Sequence, residues 1–442
     1  MNQSLSKNFT FGSLLLFALP TTIMMIIMSL YTIVDGIFIS RFVSTNALSS
    51  LNIVYPLINV AMGIGIMLST GSNAIVARKM GQGDQDGARK TFTAIVVLNL
   101  MLGAAVGLSG ALFAVPLSRI MGASDLLLAD CVSYLRWQMA FVPALMLQVL
   151  FQMFFVTEGR PGIGLFLTLL SGICNVVLDY VLIVPLQLGI AGAAMATVAG
   201  YMVTAVVGLI YFAVSRRSLW LVPFRFHAKE ILETCVNGSS EMVSNLASGI
   251  ITFLFNLLMM YYAGEDGVAA ITIIQYSQFL LNALYMGFSQ GISPVIGFNY
   301  GSQNHRQLKQ VFRTALIFIA ATSVAVFVFA ELAGAVIVGI FAQTGTAVYE
   351  MARHGFTIFA VSFLFSGLNL FSSALFTALS NGRISAIISF IRTFVLIVAS
   401  LAVLPLILGL DGIWLAIPIA EAGATVMCIG YLKKNRNVYH YA

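Results

Sequence analysis

Long runs of apolar residues recur along the whole chain and decide its fold class. One such run, residues 94–108, consists almost entirely of apolar side chains. A hydrocarbon layer about 30 Å thick requires about 20 apolar residues in each crossing helix, and twelve stretches meet this requirement. The predicted spans are 12–40, 47–76, 91–115, 129–156, 162–184, 190–214, 235–262, 267–297, 308–333, 347–379, 384–408 and 411–432.

These spans predict an all-α integral membrane protein. Strands of a membrane β-barrel alternate apolar and polar residues, and the sequence contains no such segments. Continuous apolar runs instead suit helices, whose backbone hydrogen bonds are satisfied internally in lipid. Composition agrees, because a chain of 442 residues that is 60% hydrophobic and 9% charged has too little polar surface for soluble domains.

The second half of the sequence repeats the first at a spacing of about 220 residues. Segment 69–92 matches segment 289–312 in its glycines and its final phenylalanine, and segment 188–196 matches 408–416. Each half has six spans, an even number, so both copies enter the membrane in the same orientation and are related by a pseudo-two-fold axis along the membrane normal. Two-lobed transporters have this arrangement. We predict an amino-terminal lobe, a cytoplasmic linker and a carboxy-terminal lobe at 1–214, 215–234 and 235–442.

Basic residues in alternate loops predict the orientation. The positive-inside rule places both termini in the cytoplasm, because the inner loops then contain most basic residues and the outer loops keep little beyond Arg41 and Arg119. The net charge of +6 is explained by this topology and by anionic lipid headgroups, so no nucleic-acid partner is expected. The inner residues are Lys7, Arg78, Lys79, Arg89, Lys90, Arg160, Arg216, Arg217, Arg225, Lys229, Arg306, Lys309, Arg313, Arg383, Lys433, Lys434 and Arg436.

Acidic residues inside the spans are candidates for function. A carboxylate at the centre of the bilayer costs about 2.5 to 3.5 kcal/mol on insertion scales, so it needs a partner, a proton or a role. Asp35 lies about 8 Å below the outer interface at the rise of an α-helix, and Asp179 lies at a similar depth with Asn175 and Thr197 in the same layer. Two close carboxylates titrate as a coupled pair, which suits the uptake and release of a proton or sodium ion. The alternative is that these residues only join helices by hydrogen bonds.

Three further charges lie in spans of the second half. Glu241 is about six residues from the inner end of its span, where it is either a functional acid or an interfacial charge. Arg392 and Glu421 lie at matching depth on the last two spans. We interpret Arg392 and Glu421 as a structural ion pair, because each charge compensates the burial of the other.

The sequence resembles the multidrug and toxic compound extrusion (MATE) family from about Phe9 to Lys434. The resemblance depends on Pro20 and residues 30–35 in the first span, on the repeated inner loops, on Asn175 and Asp179, and on the Gly-Ser-Ser-Glu motif at 238–241. It is closest to bacterial members that have paired aspartates in the amino-terminal lobe. The family implies a two-lobed, V-shaped transporter that exports organic cations in exchange for protons or sodium ions.

The resemblance also implies roles for particular residues. It implies a gating bend at Pro20 in the first helix. It implies that the ion site, with sodium as a candidate ligand, consists of Asp35, Asn175, Asp179 and Thr197. The family places Tyr31 and Gln152 beside this site, and other branches have a functional acid at the position of Glu241.

We therefore expect an ion-coupled antiporter of the cell membrane that exports amphipathic, cationic compounds by alternating access. Its coupling ion is H+ or Na+, with the proton favoured, and no cofactor, resident metal or enzymatic activity is expected. The G-x-S-x-G match at 287–291 lies inside a span and lacks the strand and triad of a hydrolase. The partners are small amphipathic substrates and the bilayer, and we expect a monomer. The alternative is a flippase for lipids or lipid-linked precursors, which would need several basic groups in its cavity.

Overall fold

The computed structural model describes residues 5–442, apart from the side chains at positions 33–37, 39–41, 45 and 48. This part of the chain contains helices and no strand. The helices of the first half are α1 (Phe11–Phe42), α2 (Thr45–Gly81), α3 (Gln85–Leu112), α4 (Ala114–Ile120), α5 (Leu128–Ala140), α6 (Val142–Thr157), α7 (Pro161–Ile183) and α8 (Gly189–Val214). The second half contains α9 (Ala228–Gly301), α10 (His305–Phe341), α11 (Ala347–Ala360), α12 (Phe363–Ala378), α13 (Gly382–Phe390), a π-helical turn (Ile391–Val395), α14 (Leu396–Leu408) and α15 (Leu410–Tyr439).

The helices supply the twelve predicted membrane spans. Nine helical segments of the described chain are long and apolar enough to cross a membrane, and two bent helix pairs raise the number to eleven. Helix α9 is one of the nine but contains two spans, because the backbone at Gly264 is non-helical, with a φ of 65°. It divides α9 into a first arm, 228–263, and a second arm, 265–301. With α9 counted as two spans, the described chain has twelve.

The two halves repeat each other helix by helix. In chain order, α1 and α2 correspond to the two arms of α9, α3 to α10, α7 to α13 and α14, and α8 to α15. The bent pair α5–α6 has a bend of 52°, and its counterpart α11–α12 has one of 55°. Asp84 and Asn304 cap α3 and α10 with the same side-chain hydrogen bond to the backbone. Gly189 and Gly409 both have positive φ at the starts of corresponding helices. The all-α, two-lobe prediction is confirmed.

The lobes meet closely at the end of the bundle that carries loops 82–84 and 302–304, here called the basic end. A Cβ atom on Gly81 would overlap the carbonyl oxygen of Phe298, and one on Gly301 would overlap that of Arg78. These two contacts are equivalent in the repeat. The pseudo-two-fold axis therefore passes between α2 and the second arm of α9, and only glycine allows the two backbones to lie so close.

Two more helix crossings flank this contact. Gly71 of α2 and Gly238 in the first arm of α9 each face the backbone of the opposite helix. Gly287 in the second arm of α9 approaches the backbone of Thr22 in α1, which is the equivalent crossing on the other side of the axis. All of these approaches lie in the halves of the helices that adjoin the basic end.

Towards the opposite end the cleft between the lobes is open. The face of α2 that contains Gly71 continues, at helical spacing, to Pro56 and Asn52, and both are exposed. The corresponding face of α9 continues to Gly249 and Thr252, which are exposed as well. The structure therefore has a closed basic end and a cleft that widens away from it.

The segment between the lobes, residues 215–227, is non-helical and is anchored on the first lobe; α9 begins inside the predicted linker. The buried carboxylate of Glu158, at the end of α6, accepts hydrogen bonds from the backbone N–H groups of Ser218 at 3.1 Å and Leu219 at 2.9 Å. The guanidinium of Arg89 lies 3.5 Å from the ring centroid of Trp220, and its Nε donates to the Ser218 carbonyl. These contacts attach the linker to the lobe that precedes it.

We expect Gly81→Ala to favour states in which the basic end is open, because the added Cβ overlaps backbone that cannot move without separating the lobes. The measurement is the distance between spin labels on cysteines introduced at the exposed positions 86 and 306, in a background without the native cysteines. A longer distance should gain population by several-fold. Gly172→Ala in α7 is the matched control, because a Cβ there has nothing within 4 Å. Equal distributions for both variants would contradict the prediction.

Burial raises the pKa of Glu158 to about 7, although the two N–H donors and the nearby Arg160 and Arg217 lower it in part. Because this folded-state pKa lies above the ordinary value of 4.5, the folded protein binds more protons than the unfolded chain between these values, and stability falls as the pH rises. We expect the wild type to lose about 3 kcal/mol relative to Glu158→Gln between about pH 4.5 and 7.5. Thermal unfolding in detergent across this range measures the difference, and a constant difference would refute the prediction.

Candidate functional site

Helix α7 presents one polar face to the interior of the first lobe. Gly164, Thr168, Ser171, Asn175 and Asp179 follow one another at spacings of three or four residues, so they share a face of the helix. All five are buried. In a membrane such a face is stable only where neighbouring helices cover it and supply hydrogen-bond partners.

Helices α6 and α8 cover this face. Nε2 of Gln152 in α6 donates to Oγ1 of Thr168 at 3.0 Å. The hydroxyls of Ser171 and Thr204, the latter in α8, lie 2.9 Å apart. The polar face is therefore the joint between three helices of one lobe.

Asn175, Asp179 and Thr197 lie at the end of this joint farther from the basic end. Gly200 of α8 packs beside Asn175, and the antiparallel course of the two helices then places Asp179 level with Thr197. The three side chains are only 1%, 2% and 5% exposed. The structure thus brings three of the four predicted ion-site residues into one buried layer.

This layer suits an oxygen-preferring ion. Oδ1 and Nδ2 of Asn175 are buried and form no hydrogen bond with any residue that the structure describes. The hydroxyl of Thr197 donates to the Ala193 carbonyl at 3.0 Å, so its oxygen lone pairs remain available as acceptors. With the carboxylate of Asp179, these groups offer the carboxylate, amide and hydroxyl oxygens that a hard cation or a hydrated proton requires.

The remaining residues of the predicted site have different positions. Gln152 binds Thr168, which is eleven residues before Asp179, or about 16 Å along the helix, so Gln152 lies nearer the basic end. Tyr31 is half-buried on α1, which packs against α7. Asp35 lies outside the described side chains. Its pairing with Asp179 stays a prediction.

Pro20 lies within α1, which continues as one helix from Phe11 to Phe42. The residues after it, Thr21 and Thr22, form the crossing that Gly287 of α9 approaches. A proline removes one backbone hydrogen bond of the helix, so a bend at this point would change the contact between the lobes. The role of Pro20 in gating stays a prediction.

Arg392 and Glu421 form the predicted ion pair in the second lobe. Nη2 of Arg392 lies 2.8 Å from Oε1 of Glu421, and its Nε donates to both carboxylate oxygens at 2.9 and 3.0 Å. Nδ2 of Asn369 donates to Oε2 of Glu421 at 2.6 Å and to its backbone carbonyl at 2.9 Å. The pair is buried with these hydrogen bonds made, which is the condition for two charges to be tolerated in lipid.

Glu241 belongs to the same cluster. It lies in the first arm of α9 and interacts electrostatically with Arg392. Arg392, carried by the π-helical turn, therefore faces two carboxylates, and the cluster has one net negative charge when all three groups are ionised. This cluster is separate from the polar layer of the first lobe.

A row of buried hydroxyls, which the sequence analysis missed, runs beside this cluster. Hydrogen bonds join neighbouring hydroxyls in the row, with these oxygen–oxygen distances: Ser389–Ser373 3.0 Å, Ser373–Ser385 2.9 Å, Ser385–Thr377 2.8 Å and Thr377–Ser240 3.4 Å. Ser240 precedes Glu241 in the sequence. The signal was present in the sequence, because Ser373 with Thr377 and Ser385 with Ser389 are pairs four residues apart. Such pairs occupy one face of a helix.

The same family model, MatE, matches the chain twice, over residues 20–181 and 242–403. The two segments make up more than half of the chain. The chain belongs to the MatE family. Because one model matches each half, the match also confirms the internal repeat of this MatE protein.

Similar proteins support this assignment over the full length. "Multidrug export protein MepA" of Staphylococcus aureus (strain bovine RF122 / ET3-1) is 25% identical over 441 residues, which cover 97% of this chain and 95% of that protein. A crystal structure of MATE in complex with MaL6 superimposes with a TM-score of 0.94 at 22% identity and covers 100% of this chain and 99% of that one. An outward-facing conformation of a multidrug resistance MATE family transporter has a TM-score of 0.92, also at 22% identity, and covers 100% and 98%. These structures have the same fold as this chain.

We expect Arg392→Ala to lower thermal stability in detergent, because removing one partner of a buried pair costs about 3 to 5 kcal/mol. Replacing both residues, as Arg392→Met with Glu421→Leu, should recover part of the loss, since no unpaired charge remains at position 421 and Glu241 alone has lost its cation. Arg383→Ala, at an exposed arginine, is the control and should change the melting temperature little. A double variant as unstable as Arg392→Ala would show that the pair does more than compensate two charges.

Proposed function

We propose that this MatE protein is an ion-coupled antiporter that exports amphipathic, cationic compounds by alternating access. The observation that carries the proposal is the buried layer of Asp179, Asn175 and Thr197 inside a membrane lobe. A carboxylate buried inside a membrane lobe is costly, and it indicates a functional site by default. The relationship to a protein named for multidrug export supports the substrate class.

We further propose that the basic end faces the cytoplasm and that the cleft opens to the outside. The concentration of lysine and arginine at that end supports this orientation. In the proposed cycle, the cleft admits the ion to the Asp179 layer while the basic end is closed. Neutralisation of the carboxylate lowers its cost of burial and favours closure of the cleft, after which the basic end opens to release the ion and admit substrate.

The coupling ion in this proposal is the proton, with sodium as the alternative. One proton that moves down 100 mV supplies about 2.3 kcal/mol, and a tenfold difference in proton concentration adds about 1.4 kcal/mol. Together these support a substrate gradient of several hundredfold. A single titrating site in the first lobe is therefore sufficient for efflux.

Arg392 weighs against the flippase alternative. A pyrophosphate-bearing substrate would need basic groups free to bind it in the cavity. Arg392 instead donates to Glu421 and faces Glu241. When all three groups are ionised, the cluster has one net negative charge, which favours cations over phosphates.

The experiment is transport of ethidium in proteoliposomes under an imposed pH gradient or an imposed sodium gradient. We expect the pH gradient to drive uptake into vesicles and the sodium gradient to have little effect. Asp179→Asn and Asp35→Asn should each abolish gradient-driven transport, because a neutral amide cannot cycle a proton. Ethidium binding in detergent, measured by fluorescence polarisation, should change by no more than a few-fold.

Asp125→Asn, in an exposed loop, is the control and should transport normally. Full gradient-driven transport by both Asp179→Asn and Asp35→Asn would overturn the assignment of the coupling site. Transport driven by the sodium gradient alone would replace the proton by sodium.

A further inference from the structure

We propose that two ion pairs between the lobes, Arg78–Glu233 and Lys79–Glu230, form a one-sided latch that holds the basic end closed and breaks when it opens. The inference rests on the alternating access of the proposed function. It adds the residues that set the balance between the two states. These four residues are called the latch below.

The geometry of the latch joins the two lobes directly. Nη2 of Arg78 lies 2.8 Å from Oε1 of Glu233, and Nζ of Lys79 lies 2.7 Å from Oε1 of Glu230. Thr91 of α3 completes the second pair, because its hydroxyl accepts from Lys79 Nζ at 2.9 Å and donates to Oε2 of Glu230 at 3.0 Å. Three helices from two lobes therefore meet in one network.

The position of each charge makes the latch reversible. Arg78 and Lys79 occupy the last turn of α2, and Glu230 the first turn of α9. Cations are favourable at a helix carboxyl end and anions at an amino end, so Arg78, Lys79 and Glu230 keep a favourable environment when the pairs separate. The four side chains are 16% to 38% exposed. Water can therefore solvate them during opening without the penalty of a deeply buried pair.

The latch has no counterpart across the pseudo-two-fold axis. The repeat places Phe298 and Asn299 at the positions of Arg78 and Lys79, and Thr10 and Ser13 at those of Glu230 and Glu233. In the described chain, the contact near these positions is Nε2 of Gln307 donating to the Phe9 carbonyl at 3.0 Å. Among the described residues, ion pairs between the lobes at this end thus lie on the α2 side. The α1 side, which contains Pro20, is held by packing and neutral hydrogen bonds.

The test uses the spin labels at positions 86 and 306 described above. In the variant Glu230→Gln with Glu233→Gln, the longer distance should gain population about fivefold or more relative to the closed state. Raising the salt concentration from 0.05 to 1 M should shift the wild type in the same direction, because the partly exposed pairs are screened. Salt should have little effect on the double variant. Asp84→Asn is the matched control, since it removes a charge at the same end of the protein. Asparagine can still cap α3, because Asn304 caps the corresponding helix α10 in the repeat.

Exchanging the two charges of one ion pair distinguishes a latch from a general structural role of these residues. Arg78→Glu alone should open the basic end, and Arg78→Glu with Glu233→Arg should restore the closed distribution. Failure of this restoration in a double variant with wild-type melting temperature would overturn the latch. So would a double-glutamine variant whose distances match the wild type. If the wild type itself has one distance at every pH, salt and ethidium concentration, alternating access fails instead, and the proposed function fails with it.

Discussion

The absence of water from the hydrocarbon core is the constraint on which the rest of this structure depends. Backbone groups satisfy it by helix formation in all twelve spans. Side chains satisfy it through partners on neighbouring helices, as Thr168 does with Gln152 and Ser171 with Thr204. A buried polar group that the described residues leave without such a partner is therefore a candidate for binding a ligand.

The two lobes share a backbone plan but meet this constraint differently. In the second lobe, Arg392 supplies a permanent cation to Glu421, and Asn369 supplies a neutral donor, so the carboxylate is satisfied within the protein. In the first lobe, no described residue bonds the amide of Asn175, and Asp179 lies in the same buried layer. In the second lobe, an exchangeable cation could bind Glu421 only by displacing Arg392. This difference supports the proposal that ion exchange takes place in the first lobe, while the second half keeps the fold without the exchange.

The sequence predicted the features that depend on position along a helix. Hydropathy located the spans, and the constant rise of a helix placed Asn175, Asp179 and Thr197 in one layer and Arg392 level with Glu421. Lateral contacts between helices do not follow from such one-dimensional patterns. The sequence did not predict that Glu230 pairs with Lys79 of the other lobe. The close approach at Gly81 was missed for the same reason, since a glycine in a membrane helix does not indicate which backbone it faces.

The contacts that close the basic end differ in their range. Packing at glycines such as Gly81 and Gly301 is lost once the backbones separate by about an ångström, because dispersion attraction falls steeply with distance. Attraction between charges extends over a screening length of about 8 Å at physiological salt. The glycine crossings therefore fix the geometry of the closed state, and the charges of α2 and α9 determine how far the lobes separate before they cease to attract. Attraction between these charges therefore still favours closure after the packing contacts are lost.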